Sequence, residues 1–257
     1  MEKMPALFIG HGTPMNAIEN NIFSNKWKSL GETLSRPKAI LAISAHWYTD
    51  GIRVMGAKQP KMLYDMYGFP KKLYEVKYGA PGLPELAEEI KVILKEMNIF
   101  KDNNMGFDHG VWSILCHMYP NADIPVVEFS IDKKMSPAEH FETGKKLAKL
   151  REEGVMIIGS GNIVHNFEYI DFNMPDGHKE SYEFDNYIRN KVVERDFEGI
   201  LNYKKAGVIA EMAFNTPEHF YPLLYILGTV SDNDNIEVFN ESVVMGALSM
   251  TGYVFRT

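Results

Sequence analysis

Four histidines of this chain stand in short turn-like segments with polar and glycine neighbours: His11 in IGHGTP, His46 in ISAHWY, His165 in GSGNIVHN and His219 in NTPEHFYP. A neutral imidazole is the commonest protein ligand of a divalent transition metal, so this placement points to one metal centre. Each residue also has a plainer reading. His11 could cap a turn, but Gly10 and Gly12 let the backbone approach a ligand and Pro14 stiffens the loop. His46 could end a buried strand, yet a polar Ser-Ala-His after a continuous apolar run marks a site more often than a core. His165 could cap a helix; the GSGN ahead of it has the make-up of a backbone nest for an anion. His219 falls near the start of a helix opened by Thr216, where the dipole disfavours imidazolium, and Glu218 beside it is rotated by about 100° around the axis, so only one of the two can face a given ion.

His109, in NMGFDHGVWSIL, is a fifth candidate, opening a helix from a glycine-flanked loop. The other three histidines read as bystanders: His117 as a packing residue, His140 as solvated on an amphipathic helix and His178 as solvated in MPDGHKES. Cys116 sits among Ile114, Leu115 and Met118 without an activating neighbour, which argues against a nucleophile.

Elements must bring these residues together. Apolar runs alternate with amphipathic segments, the βαβ pattern of a largely parallel sheet covered by helices. Strands are predicted at 6–9, 39–44, 52–55, 126–131 and 155–158. Helices are predicted at 83–97, from the Ser136 capping box to about 151, over 181–203 in one or more pieces, and from Thr216 to Gly228, with Pro222 kinking or dividing the last. The alternating segments IEVFNES and MTGYVFRT predict two final antiparallel strands. The expectation is one α/β domain over residues 1–257, with the site at the C-terminal ends of the parallel strands, where open α/β sheets bind ligands. His11, His46 and His165 each follow a predicted strand.

Composition narrows the function classes. With 27 Lys+Arg against 34 Asp+Glu the net charge is −7, which repels a phosphate backbone and leaves a small-molecule partner rather than nucleic acid. A single cysteine excludes an internal disulfide. The apolar run at the start is too short for a signal peptide, and no stretch approaches the roughly 20 apolar residues of a membrane span. A cytoplasmic protein, not bound to membranes and either monomeric or a small homo-oligomer, is the expectation.

Seven segments, GHGTPMNAIENN, ISAHWYT, YDMYGFPKKLYEVKYGAPG, FDHGVWSIL, GSGNIVHN, TPEHFYPLL and GALSMTGYVF, occur in order along nearly the whole chain. Together they resemble the extradiol aromatic ring-opening dioxygenases of the class III LigB-like superfamily, in the DOPA 4,5-dioxygenase-like branch. The resemblance implies metal ligation by His11 and His46, with His219 at the downstream ligand position. It implies that His165 lies at the metal as acid/base or extra ligand, and that His109 handles substrate protons. It also implies a substrate pocket bordered by Asp65, Phe69 and Pro70, where Met66 replaces the usual aromatic residue. The cofactor implied is Fe(II), and the substrates a catechol and O₂.

Many non-haem iron oxygenases use two histidines and a carboxylate, whereas here the third position is His219. An all-histidine site also suits Zn(II), which can occupy it in a purified protein but is redox-inert. Two other readings stay open on these residues: a zinc-dependent hydrolase, and a non-catalytic metal-binding relative.

Overall fold

The computed structural model describes residues 3–257. Its first half runs β1 (Ala6–Gly10), α1 (Ile22–Thr33), β2 (Ala39–Thr49), β3 (Arg53–Met55), α2 (Pro84–Ile93), β4 (Phe100–Asp102), α3 (His109–Met118) and β5 (Val126–Asp132). The second runs α4 (Pro137–Leu147), β6 (Val155–Gly161), α5 (Lys179–Val193), α6 (Phe197–Leu201), α7 (Val208–Ala213), α8 (Tyr221–Gly228), β7 (Asn235–Phe239), β8 (Val243–Val244), β9 (Leu248–Ser249) and β10 (Gly252–Arg256). Eight strands form one sheet in the order β4-β3-β5-β2-β6-β1-β10-β7. The middle four, β5, β2, β6 and β1, are mutually parallel, while β10 and β7 add antiparallel at one edge and β3 pairs antiparallel with β5 at the other. This is the single α/β domain with a mostly parallel sheet that the alternating pattern predicts.

Side chains on a strand alternate between faces, and here both faces are covered. Leu7 and Ile9 of β1, Ile40 and Ala42 of β2, and Met156 and Ile158 of β6 pack with Trp27 and Leu30 of α1 and Trp112 and Leu115 of α3. Ala6, Phe8, Leu41, Ile43 and Ile157 face a second core built with α2, α5 and α8. Burial on both faces explains why these strands read as continuous apolar runs rather than alternating ones. Among the described residues no helix is long and apolar enough to cross a membrane.

Several boundaries differ from the sequence reading. The predicted 181–203 helix breaks after Val193, where Arg195 adopts φ +58° and Asp196 caps a new start at Phe197. The segment from Thr216 divides as Pro222 requires, into a 3-10 turn (Pro217–His219) and then α8 with Pro222 in its first turn. The Ser136–Glu139 capping box forms as read.

His140 corrects an expectation. It is fully buried, with Nδ1 2.9 Å from the Tyr225 hydroxyl. With Thr143, Gly144 and Leu147 it forms an i, i+3, i+4, i+7 stripe on α4 that packs on α8, so it belongs to the inward face of that helix. His178 is half-buried rather than solvated, with its Nε2 3.2 Å from the Tyr169 carbonyl oxygen. His117 packs as expected, with Nε2 2.8 Å from the Asn16 carbonyl. Burial pushes the Cys116 thiol up to about 12, in keeping with an unreactive side chain.

Candidate metal centre and active site

Residue parity on the strands builds the site. His11 follows β1 in the register of Leu7 and Ile9, and Ser160 of β6 follows Met156 and Ile158, so both face α3. His46 lies inside β2 rather than after it, because the strand continues to Thr49. Between Ile43 and Tyr48 β2 advances five positions while β5 advances two, from Phe129 to Ile131. This bulge re-aims the strand end at His46.

The GSG of β6 is strand and not an anion nest, which corrects the sequence reading. A Cβ on Gly161 would meet the His219 carbonyl oxygen at 2.1 Å, and one on Gly159 would meet the Pro222 carbonyl oxygen at 2.8 Å. The glycines let the His219 turn lie directly on the strand, and the Asn162 N–H donates to the His219 carbonyl at 2.8 Å. Since His219 occupies a single 3-10 turn, its neutrality comes from burial rather than from a helix dipole.

The rings of His11, His46 and His219 form a near-equilateral triangle, with centroid separations of 4.8, 5.1 and 5.3 Å. Each has an oxygen acceptor at Nδ1. Ser160 Oγ donates to the Gly110 carbonyl at 2.7 Å, so at 2.9 Å it accepts from His11 Nδ1–H. His219 Nδ1–H donates to Glu218 Oε1 at 3.0 Å. His46 Nδ1 lies 3.3 Å from Asp108 Oδ1 and 3.5 Å from Asp65 Oδ2. These partners place the proton on Nδ1 and leave an Nε2 lone pair on each ring, the arrangement of metal-binding histidines.

His46 Nε2 and His219 Nε2 are 3.2 Å apart. Two facing lone pairs at that separation repel unless a cation lies between them. Two nitrogens on one tetrahedral ion at 2.0–2.1 Å would stand roughly 3.3 Å apart. The donor set therefore fits a divalent metal held by imidazoles.

Electrostatics agree with this fit. Burial, with the neighbouring imidazoles, lowers His11 and His219 well below the usual histidine range. Burial also acts to lower His46, but the hydrogen bond and charge of Asp108, with Asp65 and Glu218, outweigh it and raise its pKa. Positive charge is favoured there, as a proton or as a metal ion. Behind Asp108, Glu128 is fully buried on β5, and its Oε1 accepts the Asp108 N–H at 3.1 Å. Burial and then the Asp108 charge push Glu128 well above the usual carboxylate range, which favours its protonated form.

His165 and His109 flank the triangle. The His165 ring stacks on His219 at 3.6 Å with 3° between planes, and His165, Glu218 and His219 offer ligand atoms within 4.8 Å of one another. Burial lowers His165 to about 4. His109 is 4.0 Å from His46, ring to ring, and 6.0 Å from His11; it also offers a nitrogen within 4.8 Å of ligand atoms of both. Its Nδ1 is 3.1 Å from Asp65 Oδ1, an oxygen that already accepts the His109 N–H at 2.9 Å. Burial and the His46 charge lower its pKa against the pull of Asp65.

The histidines and Asp65 open on a cavity of about 450 Å³ whose walls include Met66, Phe69, Ile170 and Leu248, within the size range of small-molecule sites. Pro70 stands outside it, capping the turn that follows. A larger cleft of about 650 Å³, around Tyr203, Lys204 and Glu211, contains none of these histidines. Sequence reasoning missed Ser160, Asp108 and Glu128. The available signals were Asp108 at the N-cap of α3 and a carboxylate inside the apolar strand VVEFSI.

Residues 5–256 match the family described as the catalytic LigB subunit of aromatic ring-opening dioxygenase. The chain is 41% identical to a 4,5-DOPA dioxygenase extradiol of Escherichia coli (strain K12), over 96% of this chain and 93% of that protein. It is 38% identical to the one of Beta vulgaris, over 97% and 96%. The crystal structure of an uncharacterised Escherichia coli K12 protein superimposes with a TM-score of 0.86 at 38% identity, covering 98% of this chain and 99% of that one.

Proposed function

This chain belongs to the LigB family of aromatic ring-opening dioxygenases, and from that premise we propose that it is a metal-dependent extradiol dioxygenase. It opens a DOPA-like catechol ring beside the two hydroxyls, and both atoms of O₂ enter the product. The observation that carries this reading is the triangle of three imidazoles, each with Nδ1 tied to oxygen, on the floor of an aromatic-walled cavity.

His11, His46 and His219 would hold the metal, with Fe(II) as the working ion and Zn(II) as a redox-inert occupant of the same nitrogens. When bound, ferrous iron supplies Lewis acidity toward the ring hydroxyls and an electronic link between the catecholate and O₂. Ser160, Asp108 and Glu218 orient the three imidazoles so that no reorganisation is needed on binding.

His165 and His109 act on protons. His165 stacks on His219 beside the imidazoles that would hold the metal, a position that supports acid/base work on a bound substrate. Held neutral by burial, it accepts a proton from a catechol hydroxyl. His109, beside Asp65, orients the second hydroxyl and returns a proton to the product.

The test is reconstitution of the full chain with Fe(II) under nitrogen, followed by addition of a catechol and air. The expected result is O₂ uptake with a yellow semialdehyde chromophore. A colourless change that proceeds equally without O₂ would instead support hydrolysis.

A further inference from the structure

Asp65 is the one carboxylate among the described residues that line the cavity, and its two oxygens face two different imidazoles. It comes from the loop between β3 and α2, 44 residues before His109 in the chain. His109 is the first residue of α3, so its backbone N–H is one of the amides at a helix start that have no partner inside the helix. The N-cap Asp108 side chain accepts from the Val111 amide, and the His109 amide donates instead to Asp65 Oδ1 at 2.9 Å. The same oxygen lies 3.1 Å from His109 Nδ1, a buried atom that makes no aligned hydrogen bond among the described residues. A lone pair on Nδ1 would repel the carboxylate at that distance, so the proton sits on Nδ1 and the Nε2 lone pair is left for the cavity that the ring lines.

The second oxygen does less. Asp65 Oδ2 is 3.5 Å from His46 Nδ1, but that nitrogen is already hydrogen-bonded to Asp108 Oδ1 at 3.3 Å. Removing Asp65 therefore leaves His46 held and sets His109 loose. We propose that Asp65 is a positioning residue for His109, its Oδ1 holding amide and ring together so that Nε2 rather than Nδ1 meets the substrate. The pocket carboxylate then belongs to the proton machinery and is not a contact for the substrate's side chain. The kinetic consequence rests on the ring-opening reading; the tautomer does not.

Two measurements on the full chain test it. In the Zn(II)-loaded protein labelled with ¹⁵N at histidine, at mildly alkaline pH, the His109 signals are assigned by their loss in His109→Ala. They are expected to show the Nδ1–H tautomer in the parent and to change in Asp65→Ala; an Nε2–H tautomer in the parent, or one that Asp65→Ala leaves unaltered, overturns the proposal. In the Fe(II)-loaded protein acting on L-DOPA, Asp65→Ala is expected to keep the metal and lower kcat about tenfold to a hundredfold, the cost of a misplaced group, with KM within threefold of the parent. Asp65→Asn retains an acceptor oxygen and is expected to recover at least fivefold of that loss. Because Asp65 acts through His109, removing it from His109→Ala is expected to cost less than a further twofold. Losses that multiply, loss of metal, a rise in KM alone or no recovery in Asp65→Asn each overturn the proposal. No turnover by the parent sinks the ring-opening reading instead, and the tautomer measurement then decides the placement of His109 by itself.

Discussion

The Ser160 hydroxyl is 2.9 Å from His11 Nδ1 and donates its own proton to the Gly110 carbonyl at 2.7 Å. Strand β6 and helix α3 thereby fix the tautomer of a histidine that follows β1. Ser160→Ala removes that acceptor and frees the His11 ring. Metal affinity is expected to fall about tenfold to a hundredfold, the usual effect of losing a partner behind a ligand. Competition against a chelator measures it; unchanged affinity would show that Ser160 has no part in holding the ring.

Glu218 and His219 have different fates. His219→Ala is expected to abolish stoichiometric binding after dialysis, because one of the three proposed ligands is gone. Glu218→Gln keeps an acceptor oxygen beside His219 Nδ1 and is expected to retain metal with a loss no larger than about a hundredfold. The reverse pattern would make Glu218 the ligand.

The α/β class and the clustering of His11, His46 and His165 were legible because each follows an apolar strand run, and parallel topology brings those ends together. What escaped depended on close approach between distant segments. GSG reads as a loop until the His219 turn is seen resting on Gly161. His140 reads as solvated because α4 is rich in lysine and glutamate, yet its i+3, i+4 and i+7 neighbours are small or apolar and the helix buries that stripe. Ser160 and Glu128 sit within strands, and their partners, Gly110 with His11 and Asp108, come only from other elements of the fold.

His109→Ala is expected to keep the metal and lose most turnover, about a hundredfold to ten-thousandfold, the range of a general acid or base. Metal content and steady-state rate are measured on one preparation. A rate within a few-fold of the parent would remove His109 from the proton chemistry, and loss of metal would make it a ligand.

Burial lowers His140 to about 4, against an unfolded value near 6.5. The folded state thus binds fewer protons than the unfolded chain between those values. Its contribution to stability is complete above about pH 6.5 and is lost as the pH falls toward 4, by roughly 3 kcal/mol. Urea midpoints of the metal-free protein between pH 4.5 and 7 are expected to fall less steeply for His140→Gln than for the parent. Parallel curves would contradict this assignment.

If the histidine triangle holds iron for ring opening, both oxygen atoms of O₂ enter the catechol. Turnover of the Fe(II)-loaded protein under ¹⁸O₂, with mass analysis of the ring-opened product, tests it most directly. Two labelled oxygens are expected in each product molecule, allowing for exchange at the aldehyde; product that forms with no label from O₂ would contradict ring opening by O₂ at this site.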